Sequence, residues 1–88
     1  MVADILFVEA YGDYVKVHLE DKFITTHSTL SRFVEQLPKY FIKTHKSFSI
    51  NLNKMRALSG NQITVDSHNV PIGQTYKAQL LKALNINT

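Results

Sequence analysis

The sequence predicts a small, mainly β domain of about six or seven short strands with two short helices. Three observations predict it. Apolar and polar residues alternate with a period of two over residues 14–19. Turn-forming residues recur between short β-forming runs, at Gly12-Asp13, Glu20-Asp21-Lys22 and Ser59-Gly60-Asn61. Helical spacing of apolar residues is confined to two stretches, residues 30–37 and 76–84. Short strands joined by short connections favour a sandwich or a partly open barrel.

Residues 4–10 are an apolar run rich in β-formers and read as a mostly buried strand. Tyr11-Gly12-Asp13 supplies a turn, with Gly12 free to take a positive φ. In the next strand Val15, Val17 and Leu19 share one face while Tyr14, Lys16 and His18 share the other, which completes a hairpin. Residues 23–26 form a third strand. Ser28 is the expected N-cap of a helix reaching Leu37, with Leu30, Phe33, Val34 and Leu37 facing the core and Pro38 ending it. Its exposed face carries one base, Arg32, so it reads as a packing element and not as a recognition helix.

Residues 39–51 have no clean period. Phe41, Ile42, Phe48 and Ile50 are expected to anchor to the core, with the polar residues between them turned outward. Residues 55–59 and 62–66 flank Ser59-Gly60-Asn61 as a second hairpin. Ser67-His68-Asn69 reads as a turn into Val70-Pro71-Ile72, where the proline implies a sheet edge. Thr75 is the expected cap of a last helix, whose stripe is Tyr76, Leu80, Leu81 and Leu84. The expected core is Ile5, Phe7, Val15, Val17, Leu30, Phe33, Leu37, Phe41, Phe48, Ile50, Ile63 and Leu80.

A chain of 88 residues builds one domain. No window approaches the roughly 18 apolar residues of a membrane span, and the start does not resemble a signal peptide. With no cysteine, neither disulfides nor thiolate zinc sites hold the fold, and a cytoplasmic setting fits best. The net charge of +3 hides an asymmetry. Residues 1–36 carry six acids against Lys16, Lys22 and Arg32, a net of −3. Residues 37–88 carry seven bases against Asp66 alone, a net of +6. Such a distribution suits a face that meets a polyanion, and equally a basic domain that is merely soluble.

Three segments carry candidate chemistry. Lys43-Thr44-His45-Lys46-Ser47 packs two ammonium groups, an imidazole and two hydroxyls between Ile42 and Phe48. Lysine contacts phosphate or guanine O6/N7, and hydroxyls donate to phosphate oxygens. By composition alone a solvated turn is an equal reading. At Gly73-Gln74-Thr75-Tyr76-Lys77 a helix start offers free amides to phosphate, Lys77 adds charge, and Gln74 can pair with adenine. The third is the turn around Asp13 and Tyr14, where aromatic stacking on bases competes with cross-strand packing.

Catalysis finds little support. His18, His27, His45 and His68 lack metal-ligand spacing, no paired acids suggest hydrolysis, and the three glycines form no phosphate-cradling array. No metal, cofactor or enzymatic activity is expected. Two further readings stand beside duplex binding. One is a protein-binding or membrane-associated regulatory β-domain; the other is a single-stranded nucleic acid binder, which needs aromatic platforms. Phe7, Phe23, Phe33, Phe41 and Phe48 are expected mostly at core positions, which counts against the latter.

The order of these segments resembles the LytTR family of bacterial DNA-binding domains. Residues 5–15, Ile-Leu-Phe-Val-Glu-Ala-x-Gly-Asp-Tyr-Val, look like its opening hairpin. Leu37-Pro38 and then Phe41-Ile42-Lys43-Thr44-His45-Lys46-Ser47-Phe48-x-Ile50-Asn51 resemble its F-x-R-x-H-[RK]-S-[FY]-x-[IV]-N motif. Val70-Pro71-Ile72-Gly73-Gln74-x-Tyr76 resembles its I-P-[IV]-[SG]-[RK]-x-Y close. The resemblance implies an elongated stack of antiparallel β-sheets with one or two short helices. It further implies loops that enter successive major grooves of double-stranded promoter DNA at paired direct repeats.

By the same resemblance the DNA-contacting positions are Asp13, Tyr14, Lys43, His45, Lys46 and Gln74; Ser47 and Lys77 join them as phosphate donors by their chemistry. Family members usually sit behind a receiver domain, as outputs of two-component response regulators, and two copies act together on DNA. Two departures follow. Gln74 stands where the family often has Arg or Lys, and residues 1–88 are expected to lack the family's first strand and the receiver.

Overall fold

The structure is a computed structural model that describes residues 2–84. Strands β1 (Phe7–Tyr11), β2 (Tyr14–His18) and β3 (Phe23–His27) precede a short helix, α1 (Leu30–Glu35). There follow β4 (Phe41–His45), β5 (Phe48–Asn51), β6 (Met55–Ser59), β7 (Gln62–Val65), β8 (His68–Pro71) and the last helix, α2 (Gln74–Ala83). Short 3-10 turns occupy Val2–Asp4 and Leu52–Lys54. The strands make a five-stranded antiparallel sheet of order β3-β2-β1-β5-β4 and a three-stranded one of order β6-β7-β8. The molecule is elongated, 39 × 24 × 21 Å, and the stacked antiparallel sheets are those expected from the sequence.

The larger sheet buries both faces, as alternation along its strands dictates. Val8, Val15 and Val17 point one way and meet Ile5, Leu30 and Phe41, with Phe33, Val34 and Leu37 half-buried around them. Phe7 and Ile50 point the other way and meet Ile63, Val65, Val70, Ile72 and Leu80. The smaller sheet and α2 thus cover one face of the larger sheet, and α1 covers the other. Leu6, Val8, Val65, Val70 and Ile72 are buried although the sequence did not single them out. Phe33, Leu37 and Phe48, expected in the core, are half-buried at its rim.

Several boundaries differ from expectation, each for a local reason. The cap of α1 is Thr29 and not Ser28: Thr29 is extended and its Oγ1 accepts from the Arg32 amide at 3.2 Å. The Ser28 hydroxyl instead donates to the Thr29 carbonyl. The helix stops at Glu35, short of Leu37, because a residue before proline is pushed out of helical conformation. Residues 39–51 contain a hairpin, β4 and β5, whose register shifts between Lys43 and His45. That bulge displaces the side-chain alternation and accounts for the absence of a clean period. The turn after β7 is Asp66-Ser67, with Asp66 at φ 56°, so His68 and Asn69 belong to β8. Thr75 is no cap: Gly73 holds that position without a side-chain bond, and Thr75 lies in the first turn of α2. Phe23, expected inside, is 53% exposed on the edge strand β3.

His18 sits where the two sheets meet. Its ring stacks on Phe7 at 4.2 Å, lies 5.9 Å from the His68 ring, and its Nε2 donates to Glu9 Oε1 at 3.0 Å. Burial holds its pKa below the usual 6.5, with His68 and Lys16 adding to that and Glu9 opposing it. The unfolded chain therefore takes up this proton first. Stability is full above about pH 6.5 and falls as the pH drops from there through the folded pKa. Urea midpoints measured between pH 7.5 and 5 should decline, and His18→Gln should flatten that part of the profile.

Candidate nucleic-acid interface

Three separate stretches of chain meet at one end of the molecule, and backbone hydrogen bonds hold them there. The first is the β1–β2 turn, where Gly12 takes φ 59° and Asp13 does not leave the negative region. Positive φ at the first central position alone is the sign pattern of a type II′ hairpin, which glycine adopts without steric cost. The second is the β4–β5 turn, Lys46-Ser47. The Ala10 amide donates to the Ser47 carbonyl at 2.8 Å, which sets this turn beside the first. The third is the start of α2. The Gly73 amide donates to the Thr44 carbonyl at 2.7 Å, so α2 begins beside the end of β4.

Each residue singled out from the sequence can now be located. Asp13 and Tyr14 are exposed at the first turn, and the Tyr14 ring meets His27 edge-on at 5.3 Å. Lys46 is exposed and Ser47 half-buried in the second turn. Lys43 and His45 are half-buried on β4 itself and not in a loop. Gln74 is the first residue of α2, exposed, and Lys77 lies one turn further, half-buried. All eight residues thus fall in or beside the three converging segments. Thr44, expected to face outward, is fully buried, with its hydroxyl directed at the Pro71 carbonyl.

His45 organises the second turn. Its Nδ1 accepts from the Ser47 amide at 3.1 Å, which leaves Nε2 as the ring's donor, and its ring packs edge-on against Phe48 at 5.7 Å. Gly73 matters for a different reason. A Cβ there would stand 3.0 Å from Tyr76 Cδ2 and 3.6 Å from His45 Cδ2, so the backbone approaches both rings closely. The sequence marks Gly73 as the start of a helix; its approach to His45 is visible only in the fold.

The eight residues carry three lysines against one acid, while Lys22 and Lys54 lie at the other end. Among the described residues no carboxylate lies within ion-pair distance of Lys43, Lys46 or Lys77. The Lys43 ammonium lies 5.8 Å from the Tyr76 ring, at the outer range of a cation–π contact. Glu20 and Asp21 occupy the turn at the far end of β2 and line a cleft there with Asp4 and Lys54. Asp13 is the one acid among the eight residues at the basic end, where a cleft of about 420 Å³ joins it to His27 and Arg32. No group of three or more potential metal ligands occurs among the described residues. No described helix is long and apolar enough to cross a membrane.

Comparisons with known proteins bear on the family and the fold. A family model described as the LytTr DNA-binding domain matches residues 1–85. Sensory transduction protein LytT of Bacillus cereus is 29% identical over 92 residues, which covers 97% of this chain. Its namesake in Bacillus subtilis is 29% identical over 90 residues, covering 94% of this chain. The chain spans 37% of the length of these relatives. A solved structure of a LytTr DNA-binding domain from Bacillus cereus aligns with a TM-score of 0.87 at 27% identity, over 97% of this chain and 84% of that one. The match runs through both sheets and both helices, and the chain belongs to the LytTR family of DNA-binding domains.

Proposed function

We propose that this domain binds double-stranded DNA sequence-specifically, as the output domain of a bacterial two-component response regulator in the cytoplasm. The three converging segments enter successive major grooves on one side of the duplex. Lys43, Lys46 and Lys77 neutralise phosphates, Lys46 and Gln74 read base edges, and His45 holds the Lys46-Ser47 turn in shape. In the whole regulator a receiver domain precedes the reader, and two copies occupy paired direct repeats in a promoter. The observation that carries this reading is the convergence of the three segments at an end whose lysines face no carboxylate partner among the described residues. Loops pinned to rigid strands suit a reader, since base discrimination requires donors and acceptors held in place.

A competition assay with duplex DNA, single-stranded DNA and RNA at one salt concentration tests the class of ligand. The duplex carrying the operator is expected to win; equal competition by single strands would favour a stacking surface built on the exposed Tyr11, Tyr14 and Phe23. If none of them binds, the protein-interaction reading takes its place. Lys43→Ala is expected to weaken all duplex sequences alike and to flatten the slope of log affinity against log salt by about one unit. An unchanged slope removes Lys43 from the phosphate contacts.

A further inference from the structure

We propose that two copies of this chain pair through β3, antiparallel and centred on Thr25, so that their five-stranded sheets join edge to edge. Open sheet edges invite pairing, and proteins blunt them with charge, proline, bulges or a covering element. Four strands end the two sheets here: β3, β4, β6 and β8. β4 carries Lys43, has a register shift, and is tied to the start of α2. β6 carries Arg56 and a register shift between Met55 and Ala57. β8 ends in Pro71. β3 has none of these devices. Its sequence, Phe-Ile-Thr-Thr-His, contains no lysine, arginine, carboxylate or proline, and its register with β2 is unbroken from Tyr14↔His27 to His18↔Phe23. Phe23 and Ile24 are more than half exposed on it.

Register and charge select the occupant. The Leu19 amide donates to the Lys22 carbonyl, and alternation from that pair turns the N–H and C=O of Phe23, Thr25 and His27 away from β2. A two-fold axis at Thr25 sets Thr25 against its own copy and Phe23 against His27 of the second copy. Every outward amide and carbonyl of the strand then gains a partner. Ile24 falls beside Thr26 of the second copy, a β-branched cross-strand pair. Glu20, Asp21 and Lys22 lie just before β3, a turn of net negative charge, while Arg32, His27 and Asp13 line the cleft at its other end. Antiparallel pairing brings each copy's Glu20 and Asp21 towards the other's Arg32; parallel pairing sets them against the same acids of the second copy. The axis also turns the two basic ends in opposite directions. A pair joined this way cannot lay both ends on one straight duplex, so self-pairing and tandem binding at one promoter are separate states.

Sedimentation of the full chain over a range of concentrations tests the proposal. The wild type is expected to form a dimer. Thr25→Lys brings two ammonium groups together at the axis and is expected to weaken association roughly tenfold or more. Because Thr25 is exposed, that variant should keep its circular-dichroism spectrum and its affinity for DNA as a monomer. The double variant Ile24→Cys, Thr26→Cys should cross-link under mild oxidation, since non-hydrogen-bonded antiparallel pairs hold their Cα atoms about 4.5 Å apart. The chain has no other cysteine to compete. A wild type that stays monomeric at its highest soluble concentration overturns the proposal. So does a dimer that Thr25→Lys leaves intact or that the double cysteine variant fails to cross-link.

Discussion

Asn51→Asp is expected to destabilise the domain by about 3 kcal/mol or more, which for a chain of this size lowers the thermal midpoint by roughly 12–24 °C. Asn51 is fully buried at the end of β5. Its Nδ2 donates to the Ile5 carbonyl at 2.8 Å, and its Oδ1 accepts from the Asn53 amide at 2.8 Å. One side chain therefore ties the chain entering β1 to the chain leaving β5. It also caps the 3-10 turn that leads to the second sheet. Aspartate keeps the acceptor but puts a second oxygen against the Ile5 carbonyl, and burial opposes its charge. Asn51→Leu keeps the volume yet leaves the Ile5 carbonyl and Asn53 amide unpaired, at a cost of about 1–3 kcal/mol. Urea denaturation of both variants checks the order; an Asn51→Asp midpoint equal to wild type would mean that these bonds carry no net stability.

Gln74→Ala is expected to cost roughly 1–3 kcal/mol of binding at one position of the operator and to relax the preference there. The residue is exposed at the first position of a ten-residue helix, so its truncation disturbs no packing. Glutamine matches the adenine N6/N7 edge, whereas arginine or lysine matches guanine. Gln74→Arg should accordingly move the preferred base towards guanine while raising affinity for all duplexes. Binding measured against operators varied at single positions separates the two effects. Uniform loss across every sequence would make Gln74 a backbone contact and not a reader.

The sequence made the first hairpin legible because Val15, Val17 and Leu19 alternate strictly and Gly12 marks the turn. Leu80 and its stripe were legible for the equivalent helical reason. The β4–β5 hairpin was not, since the bulge after Lys43 breaks the period that reveals strands. Thr29 and Ser28 have equal capping chemistry, and only the extended backbone of Thr29 decides between them. Phe23 illustrates the limit of residue type: nothing in its composition says that β3 is the last strand of the sheet. The candidate interface divides in the same way. Its lysines, His45 and Gln74 stood out as residues, and His45 and Lys46 also as matches to the family's motif. Their convergence depends on the Ala10–Ser47 and Gly73–Thr44 bonds, which join segments far apart in sequence.

The central claim is that one end of the molecule, and not its flank or its acidic end, reads duplex DNA. Amide chemical shifts followed by NMR while an operator duplex is added test this residue by residue. The account predicts the largest changes at Gly12, Asp13, Tyr14, Lys46, Ser47, Gln74 and Lys77, with Glu20, Asp21 and Ser67 unmoved. Changes centred on β3 or on the Glu20-Asp21 turn, with the three converging segments silent, would contradict it.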